Sequence, residues 1–245
     1  SGDLLKSGAG IATLSGSNSY SGATTISAGT LRLSGANERI ADSSSISIAS
    51  GATFDVNGIT ETVGSITGLG NITLGAGTLR TNADNSSTTF SGVISGTGGT
   101  LEKIGSGVLT LNGANTYTGA TNVNGGTLRL GANERIANTS ALNVTSGATF
   151  DLNNFDETVG SIAGTASITL GSGALTSGGD NTSTTFGGVI SGSGSLTKSG
   201  SGTLTLSNAN TYTGLTTVSS GGTLNIQNNT ALGTSAAGTV VSSGG

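Results

Sequence analysis

The sequence predicts an all-β fold, a parallel β-helix or β-solenoid, in which the chain winds into stacked coils. Short runs such as GTLRL (29–33) and GVLTL (107–111) alternate aliphatic with polar residues, and glycine or asparagine separates successive runs. Alternation with period two is typical of a strand that has one buried face. Glycine and asparagine accept the positive φ angles of tight corners, and these corners are too frequent for long hairpin arms. At roughly 20 to 25 residues a coil, the chain holds about ten to twelve coils.

The composition provides a core and excludes several classes of function. Hydrophobic residues make up 33% of the 245 residues and the net charge is −4, so the chain has something to bury and little self-repulsion. The absence of cysteine excludes disulfides and thiol chemistry. Eight lysines and arginines against twelve acidic residues form no basic stripe, and 3% aromatic residues leave few stacking platforms. No apolar run approaches the ~20 residues of a membrane helix, so we expect neither a nucleic-acid partner nor direct membrane insertion.

An internal repeat organises the whole chain. GANERIA at 35–41 returns at 131–137, and STTF at 87–90 returns at 183–186. Self-similarity at a fixed long period is typical of repeat architectures, whose units stack rather than fold alone. The predicted boundaries of two long repeats and a partial third, within one continuous solenoid, are 1–97, 98–193 and 194–245.

The alternation also assigns side chains to the interior and the surface. Thr110 and Arg129 lie between inward positions and should face solvent. Each coil needs a neighbour to bury its edges and pair its strands, so stability comes from stacking. Neither end of the sequence has an obvious polar cap, and we expect the natural chain to continue in both directions. The predicted inward residues are Leu109, Leu111, Leu128 and Leu130.

Acidic residues offer the best candidates for catalysis, since enzymes that act on polysaccharides also use β-helices. Such chemistry needs carboxylates clustered around Ca²⁺ or working as an acid and base pair. The most suggestive group is Asp151, Asp156 and Glu157, echoed by Asp55 and Glu61. Their recurrence follows the repeat, and a fold alone carries no function, so a solvated corner is the preferred interpretation. With no histidine for a serine relay either, we predict no enzyme, no catalytic residue and no cofactor.

Two further kinds of polar pair recur in the long repeats. Glu38–Arg39 and Glu134–Arg135 could grip a polar ligand, but we interpret them as decoration of a surface turn whose ion pairing contributes little. Asp84–Asn85 and Asp180–Asn181 mimic fragments of a calcium loop. Neither pair belongs to a D-x-D-x-D-G run, so we assign no metal ligand.

Three tyrosines, Tyr20, Tyr117 and Tyr212, recur at the same place in each repeat and are weak candidates for ligand binding. They could form an aromatic ladder for glycans, although a whole long repeat separates them. The preferred interpretation is a ring that packs over a corner and a hydroxyl that bonds locally.

At this point a family resemblance becomes specific. GSLTKSGSGTLTLSNANTYTGLTTVSSGGTLNI at 194–226 resembles the passenger-associated transport repeat of bacterial autotransporters, and LEKIGSGVLTLNGANTYTGATNVNGGTLRL at 101–130 resembles a second copy. Residues 3–33 resemble a third copy, which reads SGAG where the others have a GSG, so we expect its coil to be less regular. The stretch 131–164 is similar to the spacer that follows this repeat.

The resemblance implies a right-handed parallel β-helix on the outside of a Gram-negative bacterium, exported via the periplasm. Its partners would be the flanking passenger and the outer-membrane β-barrel of the same polypeptide. We interpret the chain as a structural passenger segment, a stalk whose coils assist translocation and display an adhesive or effector region. Two alternatives stay open: an adhesin module that binds host or bacterial glycans or self-associates through its polar faces, and, least favoured, a polysaccharide lyase or hydrolase.

Overall fold

A computed structural model describes residues 2–145, 147–234 and 236–245. These residues form short parallel β-strands and no helix. Contacts within the chain divide it into two compact units, residues 1–120 (unit 1) and 121–245 (unit 2).

Unit 1 contains three parallel sheets, each built from strands that are not consecutive along the chain. Their orders are β1-β3-β5-β8-β11-β14, β2-β4-β6-β9-β12 and β7-β10-β13. The strands are β1 (Leu4–Lys6), β2 (Ile11–Leu14), β3 (Thr24–Ile26), β4 (Thr30–Leu33), β5 (Ile46–Ile48), β6 (Thr53–Asp55), β7 (Thr60–Thr62), β8 (Ile66–Gly68), β9 (Asn71–Thr73), β10 (Thr78–Thr81), β11 (Thr88–Phe90), β12 (Ile94–Ser95), β13 (Thr100–Lys103) and β14 (Val108–Leu111).

Unit 2 repeats this plan. Its sheet orders are β16-β18-β21-β24, β15-β17-β20-β23-β26-β28 and β19-β22-β25-β27-β29. The strands are β15 (Thr121–Val123), β16 (Thr127–Leu130), β17 (Ala141–Val144), β18 (Thr149–Asp151), β19 (Glu157–Val159), β20 (Ser161–Gly164), β21 (Ser167–Thr169), β22 (Leu175–Ser177), β23 (Thr184–Phe186), β24 (Ile190–Ser191), β25 (Leu196–Lys198), β26 (Thr203–Leu206), β27 (Thr216–Val218), β28 (Thr223–Ile226) and β29 (Thr239–Val241).

Each strand pairs with the strand one coil later, which makes both units β-solenoids. In unit 1, Leu31 pairs with Phe54, Phe54 with Ile72, and Ile72 with Ile94, all in parallel register. Side-chain hydrogen bonds between coils join residues 18 to 24 positions apart, the length of one coil. The predicted all-β solenoid is confirmed, with about twelve coils, whereas the repeat boundaries and the handedness stay predictions.

The interior follows the period-two pattern. The leucines predicted to point inward are fully buried, and the outward Arg129 keeps 42% of its side chain exposed. Burying one such aliphatic side chain contributes ~1.5 to 3 kcal/mol before the cost of ordering the backbone is subtracted. Because that cost nearly cancels the gain within a single coil, a coil is stable only against its neighbours. The confirmed inward residues are Leu109, Leu111, Leu128 and Leu130.

Glycine is required where one coil passes close to the next. Gly68 has φ +110° and Gly164 has φ +115°, at equivalent places in the two units. A Cβ atom on Gly68 would lie 2.0 Å from the carbonyl oxygen of Ile48, and one on Gly164 would lie 2.0 Å from that of Val144. Only a residue without a side chain therefore allows these coils to stack at strand spacing.

Candidate functional site

The three lysines of the chain all occupy one place in the repeat, and all three are buried: Lys6, Lys103 and Lys198. Each is the last residue of its strand. The ammonium of Lys103 donates to the carbonyls of Ile104 (2.6 Å) and Gly105 (3.0 Å).

The other two lysines follow the same plan with one difference. Lys198 donates to the carbonyls of Ser199 and Gly200, which again are the next two residues. In the first repeat, Lys6 donates to Gly8 and, at 2.9 Å, to Ala28, so this coil departs from the others as its SGAG sequence predicts.

Burial changes the basicity of these amines. Burial lowers the pKa of Lys103 to about 8 from an ordinary value of 10.5, although the negative charge of Asp84 opposes the shift. The pKa of Lys198 is also lowered, because burial outweighs the opposing effect of the negative charge of Asp180. Each ammonium is thus held in the interior by main-chain carbonyls.

Asparagine joins consecutive coils in the phrase GANTY and its relatives. Asn115 and Asn210 are buried, and their side-chain oxygens accept the N–H groups of Ile94 (2.8 Å) and Ile190 (2.7 Å), one coil earlier. Asn210 also donates to the carbonyl of Ala231, 21 residues later, at 2.6 Å. The two N–H groups belong to β12 and β24, the last strands of their sheets, so the asparagines supply the acceptor that a further strand would provide.

The tyrosines that follow these asparagines pack inward. Tyr117 and Tyr212 have no exposed surface, whereas Tyr20 is half-buried. The hydroxyl of Tyr212 shares a hydrogen bond with Thr216 (2.6 Å), and that of Tyr20 shares one with Thr24 (2.8 Å). This is the corner packing that the sequence favours. A buried ring cannot contact a glycan without local opening, so ligand binding stays a prediction that suits Tyr20 best.

Two of the acidic candidates are buried, which corrects their interpretation as solvated corners. Glu61 is 0% exposed, and its two carboxylate oxygens accept the N–H groups of Arg39 (2.7 Å) and Ile40 (2.6 Å) from the preceding coil. Period two explains the error, because the strand Thr60–Thr62 turns its middle residue toward the interior.

The same arrangement recurs in unit 2. Glu157 is 1% exposed and accepts the N–H groups of Arg135 (2.8 Å) and Ile136 (3.0 Å). Glu61 and Glu157, each with its two donors, are called the glutamate clamps below.

Burial also shifts the acidity of the clamps. Burial raises the pKa of Glu61 to about 7, against the two main-chain hydrogen bonds that lower it, and the charges of Glu38 and Asp42 raise it further. Burial raises the pKa of Glu157 to about 8, again against its two hydrogen bonds and with Glu134 adding to the rise.

The remaining acidic candidates form ion pairs or hydrogen bonds within the chain. Asp55 pairs with Arg32 (2.7 Å) and Asp151 pairs with Arg129 (2.8 Å) across adjacent outward positions. Asp156 is exposed and accepts the N–H of Ala174 at 2.8 Å. Within the described residues, no three histidine, cysteine or acidic side chains come together as a metal site would require.

The pair Glu38–Arg39 makes contacts with neighbouring coils that a surface turn would not make. Arg39 is buried, and its guanidinium donates to the carbonyls of Ser15 (3.0 Å) and Ala36 (2.7 Å). The carboxylate of Glu38 accepts the N–H and hydroxyl of Thr62, 24 residues later. The prediction of a surface turn is therefore wrong for Arg39, because the turn lies under the next coil.

The equivalent pair in unit 2 is more open. Glu134 is exposed and accepts the N–H and hydroxyl of Thr158, and Arg135 is half-exposed.

The Asp-Asn pairs shape the corners near two of the buried lysines, Lys103 and Lys198. Asp84 accepts the N–H (3.0 Å) and hydroxyl (2.7 Å) of Ser86, while Asn85 accepts the N–H of Ser106 in the next coil (2.8 Å). Burial raises the pKa of Asp84, but these hydrogen bonds outweigh it and lower the pKa overall. In unit 2, Asp180–Asn181 makes the same bonds to Thr182 and Ser201.

Comparison with known proteins now assigns the repeats. Residues 4–37, 101–130 and 196–226 match the family described as passenger-associated transport repeat. Three segments of the chain are therefore copies of this repeat, which supports its assignment as part of an autotransporter passenger. It is 40% identical over 232 residues to the adhesin BmaC autotransporter of Brucella suis biovar 1 (strain 1330). That match covers 90% of the chain and 7% of the relative, so the chain spans a small part of that protein.

No solved structure matches the chain. Among the described residues, no helical segment has the length and apolar character of a membrane span.

The passenger-associated transport repeats carry buried polar residues that motif reasoning missed. Each matched segment begins with a leucine two residues before its lysine, as in Leu101 and Lys103. Period two places both side chains on the inward face, so the alternation itself was the signal. A lysine at an inward position was overlooked because lysine is rarely buried unless it is paired.

Outward positions of the repeats form uncharged hydroxyl columns. On the first sheet of unit 1, strand pairing aligns five outward hydroxyl side chains, one per coil. The pairing of Gly68 with Phe90 places their neighbours Thr67 and Thr89 side by side in this column. This column, the hydroxyl face, consists of Thr25, Ser47, Thr67, Thr89 and Thr110. A shorter column in unit 2 consists of Thr158, Thr176, Thr197 and Thr217.

Proposed function

We propose that this chain is a structural stalk segment of a bacterial surface autotransporter, and that its stacking coils assist translocation and display an adhesive or effector region. It would lie at the surface of a Gram-negative cell after passage through the periplasm. Its partners would be the flanking passenger and the outer-membrane barrel of the same polypeptide. The repeat family and the name of the Brucella relative, an adhesin autotransporter, support this placement.

The cross-coil clamps are the main support for a role in translocation. The N–H groups of Arg39 and Ile40 gain their side-chain acceptor only when Glu61, about one coil later, folds onto them. Asn115 supplies an acceptor to Ile94 in the same way. Because each coil completes hydrogen bonds of the coil beside it, folding adds one coil at a time to an existing stack.

Such stepwise stacking would favour one direction of movement. A chain that emerges extended from a pore gains buried aliphatic area and ladder hydrogen bonds with every added coil. Retreat into the pore would break the most recent coil, so a growing stack opposes back-sliding. The net gain per coil is small, since ordering the backbone offsets most of the ~25 cal/mol per Å² of buried apolar area.

A matched pair of variants tests this proposal. Leu111 is fully buried, and its neighbour Thr110 faces outward on the same strand. Leu111→Asp should unfold adjacent coils and slow appearance of the passenger at the cell surface, because an unpaired charge in the core is costly. Thr110→Asp introduces the same charge outside and should leave surface appearance unchanged. Equal rates of appearance for both variants, measured by surface labelling over time, would contradict the proposal.

A second candidate function is self-association, and the hydroxyl face favours it over glycan binding. Each hydroxyl is both donor and acceptor, so a column of them complements the same column on a second copy related by a two-fold axis. The two copies would share one strand spacing, ~4.8 Å, which keeps successive hydroxyls aligned. The residues two positions before and after each hydroxyl along the chain carry no charge. A glycan site would instead use exposed aromatic rings.

The size of the hydroxyl face sets the strength of this association. Five coils at ~4.8 Å extend over only about 20 Å. Such a patch is much smaller than the ~800 Å² per partner of stable complexes, so single copies would associate weakly and many copies on two cells would adhere through multivalency.

The Thr110→Asp variant also tests self-association. Cells displaying it should settle more slowly than cells displaying the parent chain, because each copy would bring an unpaired negative charge into the interface. Arg129→Ala, on an outward position of unit 2, is the control and should settle at the parent rate. Unchanged settling of the Thr110→Asp cells at equal surface levels would remove this candidate.

A catalytic function is not part of the proposal. Four of the acidic residues that suggested one are engaged as glutamate clamps or in ion pairs with arginine, and the fifth, Asp156, accepts a main-chain hydrogen bond.

A further inference from the structure

Two of the buried lysines, Lys103 and Lys198, make short-range hydrogen bonds that the buried glutamates do not make. Lys103 and Lys198 each bond to the carbonyls one and two residues later. The glutamate clamps, by contrast, bond to residues 21 and 22 positions earlier. These four lysine bonds each lie within one corner, whereas the clamp bonds join two coils.

The corner after each lysine is held in a conformation that exposes its carbonyls to the ammonium. Gly105 has φ +65° and Gly200 has φ +66°. A Cβ on Gly105 would lie 2.0 Å from the carbonyl oxygen of Asn82, so the corner passes close to the preceding coil. An ammonium that gathers two carbonyls at this point fixes the direction in which the chain leaves the strand.

A purely apolar residue would fill the same interior position without bringing a charge inside. Burial disfavours the ammonium, as the lowered pKa of Lys103 indicates. Lysine nevertheless stands there in all three matched segments and nowhere else in the chain. The bonds to the carbonyls are what distinguish lysine from leucine or methionine at this place.

We propose that Lys103 and Lys198 are coil-closing residues, and that closure of their corners precedes stacking and starts folding of the two repeats that contain them. Closing a loop of two residues costs far less chain entropy than closing one of about twenty, so the lysine corner forms before any clamp. This inference rests on the proposed function, because it names the residues through which a repeat would help the passenger fold as it emerges.

Refolding kinetics of the 245-residue chain test the inference. The double variant Lys103→Met/Lys198→Met keeps the apolar stem and removes both ammonium groups. If closure comes first, refolding from denaturant slows about tenfold while unfolding changes less than about twofold, because the lost bonds already exist in the transition state. Glu157→Gln is the matched control and should mainly speed unfolding. Lysine variants that refold at the parent rate and only unfold faster would overturn the inference.

A second measurement needs no variant. The chain has three lysines, so pulsed amine labelling during refolding, read by mass spectrometry, reports each one separately. Lys103 and Lys198 should become protected before the amide hydrogens of Arg135 and Ile136, which Glu157 accepts. Protection of the lysines together with or after those amides would overturn early closure.

Surface display separates this inference from the function beneath it. If the lysine variants refold slowly but reach the cell surface at the parent rate, coil closure stands and the role in export fails. If they refold at the parent rate, coil closure fails whatever the surface assay gives.

Discussion

One corner occurs in both units, at 81–88 before Lys103 and at 177–184 before Lys198, and one difference in sequence between the two copies is decisive. Asn82 occupies the place of Gly178. Asn82 has φ +70° and donates to the carbonyl of Ser86 at 2.9 Å, whereas Gly178 has φ +120°. The same turn is therefore reached by a bonded asparagine in one unit and by the freedom of glycine in the other.

The asparagine copy carries a cost that the glycine copy lacks. Among the described residues, the buried side-chain atoms without a hydrogen-bond partner are the oxygens of Thr81, Asn82 and Thr88, all in the unit 1 corner. An unpartnered buried oxygen costs roughly 1 to 3 kcal/mol. Two repeats of similar sequence thus share the backbone path of this corner, although only one of them leaves buried side-chain oxygens without hydrogen-bond partners.

Introducing the asparagine at the equivalent position of unit 2 should have the largest effect on stability. A Cβ on Gly178 would lie 2.0 Å from the carbonyl oxygen of Ser199 and 2.7 Å from Nζ of Lys198. We expect Gly178→Asn to lower the free energy of unfolding by about 2 to 4 kcal/mol, because both the backbone angle and the clash oppose it. Denaturant unfolding followed by circular dichroism measures this. A loss below ~1 kcal/mol would mean that the unit 2 corner can adopt the unit 1 geometry.

The glutamate clamps provide the next largest difference between the units, through pH. The pKa of Glu61 is raised to about 7 and that of Glu157 to about 8 from 4.5, so the folded chain binds more protons than the unfolded chain between these values. Their stabilising contribution is complete below pH 4.5 and is lost as the pH rises through 7 and 8. We expect the free energy of unfolding to fall by ~1 to 3 kcal/mol between pH 5 and pH 8.

Single variants assign that pH dependence to each unit. Glu157→Gln should flatten the profile more than Glu61→Gln, since its pKa is shifted further. The range ends at pH 8 because the lowered pKa of Lys103 makes stability rise again above it. A parent profile that is flat or rises from pH 5 to pH 8 would contradict the clamps as its source.

The tyrosine corners should give a smaller contrast. The bond between Tyr212 and Thr216 is buried, whereas that between Tyr20 and Thr24 is partly exposed. Tyr212→Phe should lower the free energy of unfolding by about 1 kcal/mol and Tyr20→Phe by a few tenths, because water replaces the lost partner only at the exposed site. Thermal unfolding of the two variants side by side checks the order, and a larger effect at Tyr20 would reverse the assignment of burial.

The reverse exchange, Asn82→Gly, should have the smallest effect. It removes an unpartnered oxygen and suits a positive φ, but it loses the bond to Ser86 and adds freedom to the unfolded chain. We expect these terms to cancel to within ~0.5 kcal/mol. The denaturation midpoints of Asn82→Gly and Gly178→Asn, measured side by side, compare their free energies of unfolding. If Asn82→Gly lowers the free energy of unfolding as much as Gly178→Asn, the bond to Ser86 is the main stabilising contact of the corner.

Local patterns predicted much of the molecule. Alternation in VLTL identified Leu109 and Leu111 as core, and the return of similar strings identified the repeat. The preference for a packed tyrosine agrees with Tyr212. The predicted solvated corners are wrong for Glu61 and Glu157, because a charged side chain is rarely buried unless it is paired.

The sequence alone determined the strands, the corners and the inward and outward faces, since these depend on period two and on glycine or asparagine at tight turns. Only the tertiary structure decided where the buried charges find their partners. The acceptor of the N–H groups of Arg39 and Ile40 stands on Glu61, about one coil away, and no local pattern specifies such a distance. Register between coils specifies it, because stacking brings residues about twenty positions apart within hydrogen-bonding reach.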